Sequence, residues 1–391
     1  MSNSLIDLDQ SATTAVRRAV LEAMWPHLTA GYGNPSSTHA LGRAAAAALQ
    51  DARTRVAAVC GVRAAQVVFT SGGTEADNLA VIGLTLGAIR AGRGRHVIVG
   101  AVEHEAVLEA ADHLGRWHDV EVTCVPVDNS GVVDVEAVRR ALRPNTALVS
   151  VQHANNEVGT LQPVRELGEA AHAVGALLHV DAVQTAGWVS LDAGRNPELS
   201  TSDALSISGH KLGAPKGVGA LVLRTTAPLE PLVHGGGQER DRRSGTENVA
   251  GAVGLATALE LAEAERDTET VEAVAARRDR FIAAVLAAVP EATLTGHPRQ
   301  RLPGHASFVV EGLGGEPLLI ALDDRGIICS SGSACAAGRD DPSPVLLAMG
   351  YGADLARTAL RFSFGVGTSD TELDAAVEAL RDSAAGLRTL R

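Results

Sequence analysis

From about residue 64 to 225 the chain alternates short valine-rich runs with longer helix-like segments. The runs 66–70, 96–100, 120–125, 147–152, 176–181, 204–208 and 219–223 have strand length. Segments 74–90, 105–117, 135–142 and 164–174 lie between them as helices. Strands this apolar must be covered on both faces, and a helix between successive strands supplies the cover. The pattern therefore predicts an α/β fold with a mostly parallel, seven-stranded sheet.

Beyond 225 the pattern changes. An alanine-rich helix is expected at 247–264, then helices at 277–289, 316–324 and 371–387, with strands at 305–310 and 359–364. These describe a smaller α+β domain. The expected division is a large domain over 16–257 and a small one built from 1–15 and 258–391. With 391 residues, 46% of them hydrophobic, the chain can bury two cores. Within the small domain, 330–344 is rich in Ser, Gly, Ala and Pro and reads as a mobile loop with Cys335 in its middle.

A formal net charge of −12 opposes direct nucleic-acid binding, which needs a basic face. The start lacks a basic stretch followed by an apolar run, and no run of about 18 apolar residues is present to span a membrane. A cytoplasmic protein without membrane contact is expected. None of the four cysteines forms a CxxC pair, so reduced thiols are expected. Cys60 and Cys124 read as small buried hydrophobes. Cys329, after Ile327 and Ile328, reads as a structural strand residue. Cys335 has little around it to bury against, so the buried-hydrophobe reading fails for it. No metal site is expected.

Of the 34 basic residues only Lys211 and Lys216 are lysines. Arginine can replace a surface lysine, but its guanidinium stays protonated and cannot act as an amine nucleophile. Lys211 follows the strand expected to end at Ser208, whereas Lys216 sits in a Pro-Lys-Gly turn and ranks second. Asp181 falls at the C-terminal end of a buried strand, where open α/β sheets bind ligands. It can pair with a protonated pyridine nitrogen or simply cap the next helix. A strand-end Asp followed by a strand-end Lys is the arrangement a pyridoxal 5'-phosphate (PLP) site requires. The turn Thr70-Ser-Gly-Gly-Thr-Glu75 can hold an anion at a helix N-terminus, or act as a plain cap, and does not match the Walker pattern.

Nine motifs then occur in order: Asp9-Gln-Ser-Ala-Thr-Thr14, Gly33-Asn-Pro-Ser-Ser37, Thr70-Ser-Gly-Gly-Thr-Glu75, Glu103-His104, Asn155-Asn-Glu157, Asp181-Ala-Val-Gln184, Ser208-Gly-His-Lys211, Arg243-Ser-Gly-Thr-Glu-Asn248 and Ser330-Ser-Gly-Ser-Ala-Cys335. With them the chain resembles the cysteine desulfurase family of fold-type I PLP enzymes, in the branch with the longer cysteine loop. The resemblance implies that Lys211 holds PLP, Asp181 meets its ring nitrogen and His104 stacks on the ring. Asn156 and Gln184 are placed near its phenolic oxygen. Gly73 and Thr74, Ser208 and His210 are placed at its phosphate, with Thr246 reaching in from the partner of a homodimer. Arg361, with Asn156, grips the substrate carboxylate.

The implied reaction converts L-cysteine to L-alanine and leaves a persulfide on Cys335 for a sulfur-acceptor protein. Lys211 and His104 are the proton-transfer candidates. Iron–sulfur cluster assembly, tRNA thiolation, cofactor synthesis and DNA sulfur modification all draw on this family. Departures from its common pattern at Gln10, Ser11, Gly73 and 338–344, Pro344 above all, bear on the acceptor rather than the chemistry. Selenocysteine lyase and aminotransferase are the competing enzyme readings. A non-catalytic scaffold on the same fold is the other, and it would be expected to lose Lys211, Asp181 or Cys335.

Overall fold

The computed structural model describes residues 5–266, 270–332 and 341–389. Its strands in chain order are β1 (Ile6–Asp7), β2 (Val67–Thr70), β3 (His96–Gly100), β4 (Glu121–Val125), β5 (Thr146–Gln152), β6 (Leu177–Asp181), β7 (Ala204–Ser208), β8 (Gly219–Leu223), β9 (Ala292–Leu294), β10 (His305–Val310), β11 (Ile327–Ile328) and β12 (Ala359–Ser363). The expected seven-stranded sheet is present, in the order β2-β8-β7-β6-β5-β3-β4. Neighbours from β4 to β7 are parallel, while β8 runs against both β7 and β2.

This topology brings the C-terminal ends of β2, β3, β5, β6 and β7 to one edge of the sheet. Ligands bind at such an edge. At its centre Gln152 is in register with Asp181, and Asp181 with Ser206. Gly219 opens β8 at the same edge. A Cβ there would stand 2.6 Å from Ile207 O and 2.8 Å from Gly72 Cα, so glycine lets the 70–75 turn lie close.

The helix expected over 74–90 is interrupted. It runs Gly73–Asn78, widens into a π-type turn at Leu79–Gly83, and resumes at Leu84–Arg90. At that turn Gly83 O accepts from Glu230 N at 2.9 Å. Two helices that the strand alternation did not reveal, Arg18–Thr29 and Ala40–Val59, pack against Val249–Arg266.

A second core surrounds the antiparallel sheet β12-β10-β9. Phe281, Phe308, Phe362 and Phe364 fill it, under the helices Thr270–Ala288 and Asp370–Arg388. β1 pairs with β11 and sends Leu8 into this core, so the N-terminal segment runs from the small sheet back across the ligand edge.

Two expectations need correction. Cys124 is exposed rather than buried, because β4 is the edge strand of the large sheet. The loop is narrower than 330–344. Ser330 is paired with Arg361, and Pro344 opens the helix Pro344–Ala348, capped by Ser343. Cys335 lies outside the described residues. Among the described residues no helix is long and apolar enough to cross a membrane, and no cluster of acidic, His and Cys side chains suits a metal.

Candidate active site

A cavity of about 350 Å³ opens at the C-terminal edge of the sheet. Gly73, Thr74, His104, Asn156, Asp181, Gln184, Ser208, His210, Lys211 and Arg361 all line it. The fold thus brings together ten site residues drawn from motifs almost 300 positions apart. Lys216 is exposed and is not among them. Thr246 is exposed too and lies outside this chain's cavity.

Each side chain is fixed by its local structure. Asp181 ends β6, and its Oδ1 accepts from Val183 N at 2.8 Å. Burial pushes its pKa up, while that N–H, His104 and Lys211 pull it down. A cation set against it would favour the ionised form. Lys211 lies on a short turn after β7, and its Nζ donates to Ala12 O at 2.8 Å and to Ser11 O. Gln184 Nε2 donates to Ser11 O at 3.1 Å, so the segment 11–14 covers both residues. His210 Nδ1 is 3.1 Å from Thr13 Oγ1, and burial lowers its pKa to about 4, leaving it neutral near pH 7.

His104 caps the helix Glu105–His118, its Nδ1 accepting from Ala106 N at 3.0 Å. Any proton that a neutral His104 carries therefore sits on Nε2. Gly73 stands where a Cβ would be 2.8 Å from Val183 Cγ2 and 3.2 Å from Ser208 Cβ. The departure from the common alanine thus matches Val183, which fills the space.

Arg361 is buried at 2% exposure and comes from β12 of the second core. Its Nη2 donates to Asp9 Oδ1 at 2.6 Å, and its Nη1 to Asn156 O at 3.0 Å and Gly332 O at 3.3 Å. Its Nε is buried without a partner. A buried guanidinium with a donor left over, on the wall of a cavity, fits a carboxylate.

Matches to known proteins agree with this geometry. Residues 6–376 match the family model described as aminotransferase class-V. The chain is 46% identical over 385 residues to a cysteine desulfurase of Cereibacter sphaeroides, covering 98% of this chain and 96% of that protein. The chain belongs to the cysteine desulfurase branch of this family. Among solved structures, a NifS-like protein superposes with a TM-score of 0.89 at 34% identity, covering 98% of this chain and all of that one. DndA from Streptomyces lividans superposes with a TM-score of 0.75 at 39% identity, over 90% of this chain and 97% of that one. The fold is that of fold-type I PLP enzymes, a large sheet domain with a smaller C-terminal α+β domain.

Sequence reasoning missed several residues of the cavity. Ser11 and Ala12 fall within the 9–14 motif, but they contribute carbonyls, a role that their side chains do not announce. Gln152 ends β5, four residues before Asn156 in the turn that follows, and its Nε2 donates to Val102 O at 2.5 Å. Asp77 lines the cavity from the helix above the sheet, buried, with Oδ1 unpartnered and 3.7 Å from His179 Nε2. Burial pushes Asp77 well above the ordinary carboxylate range. Glu103, also buried, is pushed up for the same reason. Glu103 belongs to the Glu103-His104 motif and lies outside the cavity lining. Burial disfavours the charged form of both carboxyls, whereas Asp181 is the carboxyl that Val183 N–H, His104 and Lys211 pull toward ionisation.

Proposed function

We propose that this protein is a PLP-dependent cysteine desulfurase that converts L-cysteine to L-alanine and holds the sulfur as a persulfide on Cys335. The observation that carries the reading is the convergence of Lys211, Asp181 and a partly unsatisfied Arg361 on one cavity. The residues present fit the cofactor. Gly73 and Thr74 line the cavity at the 70–75 turn, Ser208 and His210 offer polar side chains beside them, and Asp181 has one oxygen engaged by Val183. When bound, PLP supplies the electron sink that makes the substrate α-proton removable.

The chain's own residues do the rest. Arg361 and Asn156 orient the substrate carboxylate. Lys211 anchors the cofactor covalently and, with His104 Nε2, moves protons at the reacting carbon. Asp181 holds a positive charge at the ring nitrogen. Gly332 lines the cavity, and Cys335 follows three residues later in the sequence. The Cys335 thiolate attacks the substrate sulfur, so an S–S bond forms and the C–S bond breaks. The electron pair of that C–S bond stays on carbon, which takes a proton to give alanine.

The proposal includes a cytoplasmic homodimer in which Thr246 of each chain completes the other's phosphate site. Exposure of Thr246 outside its own cavity supports this arrangement. A sulfur-acceptor protein takes the persulfide. The test is alanine released from L-cysteine by the purified protein, with mass spectrometry of the trapped persulfide. No alanine, or sulfur bound only at another cysteine, would refute the reading. Cofactor loss should accompany dissociation in a dilution series, and a fully loaded monomer would contradict the shared site.

A further inference from the structure

Glu157 follows Asn156 in the turn after β5. That turn is held rigidly, because Asn155 Oδ1 accepts from Glu157 N and from Val158 N, both at 2.8 Å, and Asn155 Nδ2 donates to Val102 O at 3.0 Å. Glu157 is buried. Its Oε2 accepts the Ser343 hydroxyl at 2.5 Å, and Ser343 Oγ accepts from Leu346 N at 3.1 Å in the first turn of Pro344–Ala348. This carboxyl therefore anchors the start of the downstream flank of the cysteine segment, whose Val345 and Leu346 are packed in a small apolar cluster.

The upstream flank meets the same group. Gly332, at φ +90°, lies against Glu157, and a Cβ on it would stand 3.4 Å from Glu157 Cβ and 3.5 Å from Oε2. Gly332 O accepts from Arg361 Nη1, and Ser330 exchanges two backbone hydrogen bonds with Arg361. The downstream flank is thus bonded to Glu157 through Ser343 and the upstream flank to Arg361, with Gly332 packed beside Glu157.

We propose that Glu157 is a positioning residue for sulfur transfer, tying both flanks of the Cys335 segment to the Asn156 turn and to Arg361. In its use of Cys335 this rests on the desulfurase reading. A carboxylate arriving at Arg361 is a stronger acceptor than the Gly332 carbonyl and draws the guanidinium away from it. The Glu157–Ser343 bond then holds the flanks in place while sulfur moves. Loss of that bond leaves substrate binding intact and slows transfer.

Three variants test this: Glu157→Ala, Glu157→Gln and Ser343→Ala. In the cofactor-free chain, tryptic cleavage after Arg339 should be roughly fivefold faster in Glu157→Ala and Ser343→Ala, a ratio within the worth of one hydrogen bond. In the loaded enzyme, single-turnover alanine formation should slow about tenfold in these two variants. The affinity for L-alanine, read from the cofactor absorbance, should stay within about threefold, since Arg361 and Asn156 are intact. The double variant should be no worse than the worse single variant, because both remove one bond. Glu157→Gln keeps an acceptor and should stay near wild type. Unchanged cleavage, a loss of alanine affinity in step with transfer, or Glu157→Gln as impaired as Glu157→Ala would overturn the proposal. Ser343→Ala keeps the test available should Glu157→Ala fail to fold. If the wild type forms no alanine from L-cysteine, the desulfurase reading fails, whereas the cleavage comparison still decides the tie.

Discussion

Arg361 Nη2 donates to Asp9 Oδ1 at 2.6 Å across 352 positions of sequence. Asp9 comes from the strand-like start of the chain and Arg361 from β12 near its end, and the small sheet joins them at the mouth of the cavity. The pair neutralises a buried guanidinium and fixes its plane, with Nε left over for a ligand. Arg361→Lys keeps the charge but loses the fork. It should raise KM for L-cysteine roughly 10- to 100-fold, the loss expected for charge-assisted hydrogen bonds, with a smaller change in kcat. Asp9→Asn keeps an acceptor and should have a milder effect in the same direction. Steady-state kinetics with L-alanine titrations check both. A kcat loss at unchanged KM would remove Arg361 from the carboxylate.

Lys211 is the lysine on the cavity wall, and Lys216 points to solvent. Borohydride reduction of the loaded protein should fix the cofactor to the peptide containing Lys211. Lys211→Ala should lose activity by roughly 10³-fold, in the range of a lost general acid–base group. Lys216→Arg should bind cofactor and turn over like wild type. Recovery of the cofactor on the Lys216 peptide would reverse the assignment.

The sheet was legible because its strands are short, valine-rich and separated by helices, and each one fell within a few residues of its expected place. Asp181 and Lys211 stood out because the ends of such strands are where α/β sheets bind ligands, whereas Ser208 entered only through the family resemblance. Other features depend on tertiary geometry. At the π-type turn Leu79–Gly83 a distant N–H, that of Glu230, takes Gly83 O, a contact that the local sequence does not show. Cys124 is exposed because β4 has a neighbour on one side, which its own sequence does not encode. Asp77, which no motif singles out, is buried 3.7 Å from His179 of β6. Ser11 and Ala12 act through carbonyls, which every residue has.

Burial lowers the His153 pKa to about 4, and its Nδ1 lies 3.1 Å from Thr185 Oγ1. The unfolded chain titrates this group near 6.5. Below that pH the unfolded state binds a proton that the folded state refuses. The stability His153 provides is therefore fully present above about pH 6.5 and lost as pH falls toward 4. Relative to His153→Gln, the wild type should lose about 1.4 kcal/mol per pH unit over this window, about 3 kcal/mol in total. Denaturant unfolding of both proteins between pH 7 and 4 measures the difference. A constant difference would mean that His153 does not titrate on unfolding.

Cys329 and Cys335 are six positions apart, and pH separates them. Burial pushes the Cys329 thiol up to about 12, so it holds almost no thiolate under ordinary conditions. A thiolate is the nucleophile in sulfur transfer. If Cys335 is the acceptor, alanine formation should rise through the range of an unperturbed thiol, near about 8.5. Cys335→Ala should keep the cofactor, since Lys211 and Asp181 are untouched, and release almost no alanine. Cys329→Ala should turn over like wild type. Its side chain packs against the second core beside Ile327, so a stability loss of about 1 kcal/mol is expected. Alanine per enzyme across pH, with the trapped persulfide mapped by mass spectrometry, decides between the two thiols. A persulfide on Cys329, or full turnover by Cys335→Ala, would move the sulfur to a thiol that burial keeps protonated, and the proposed transfer step would then be wrong at its nucleophile.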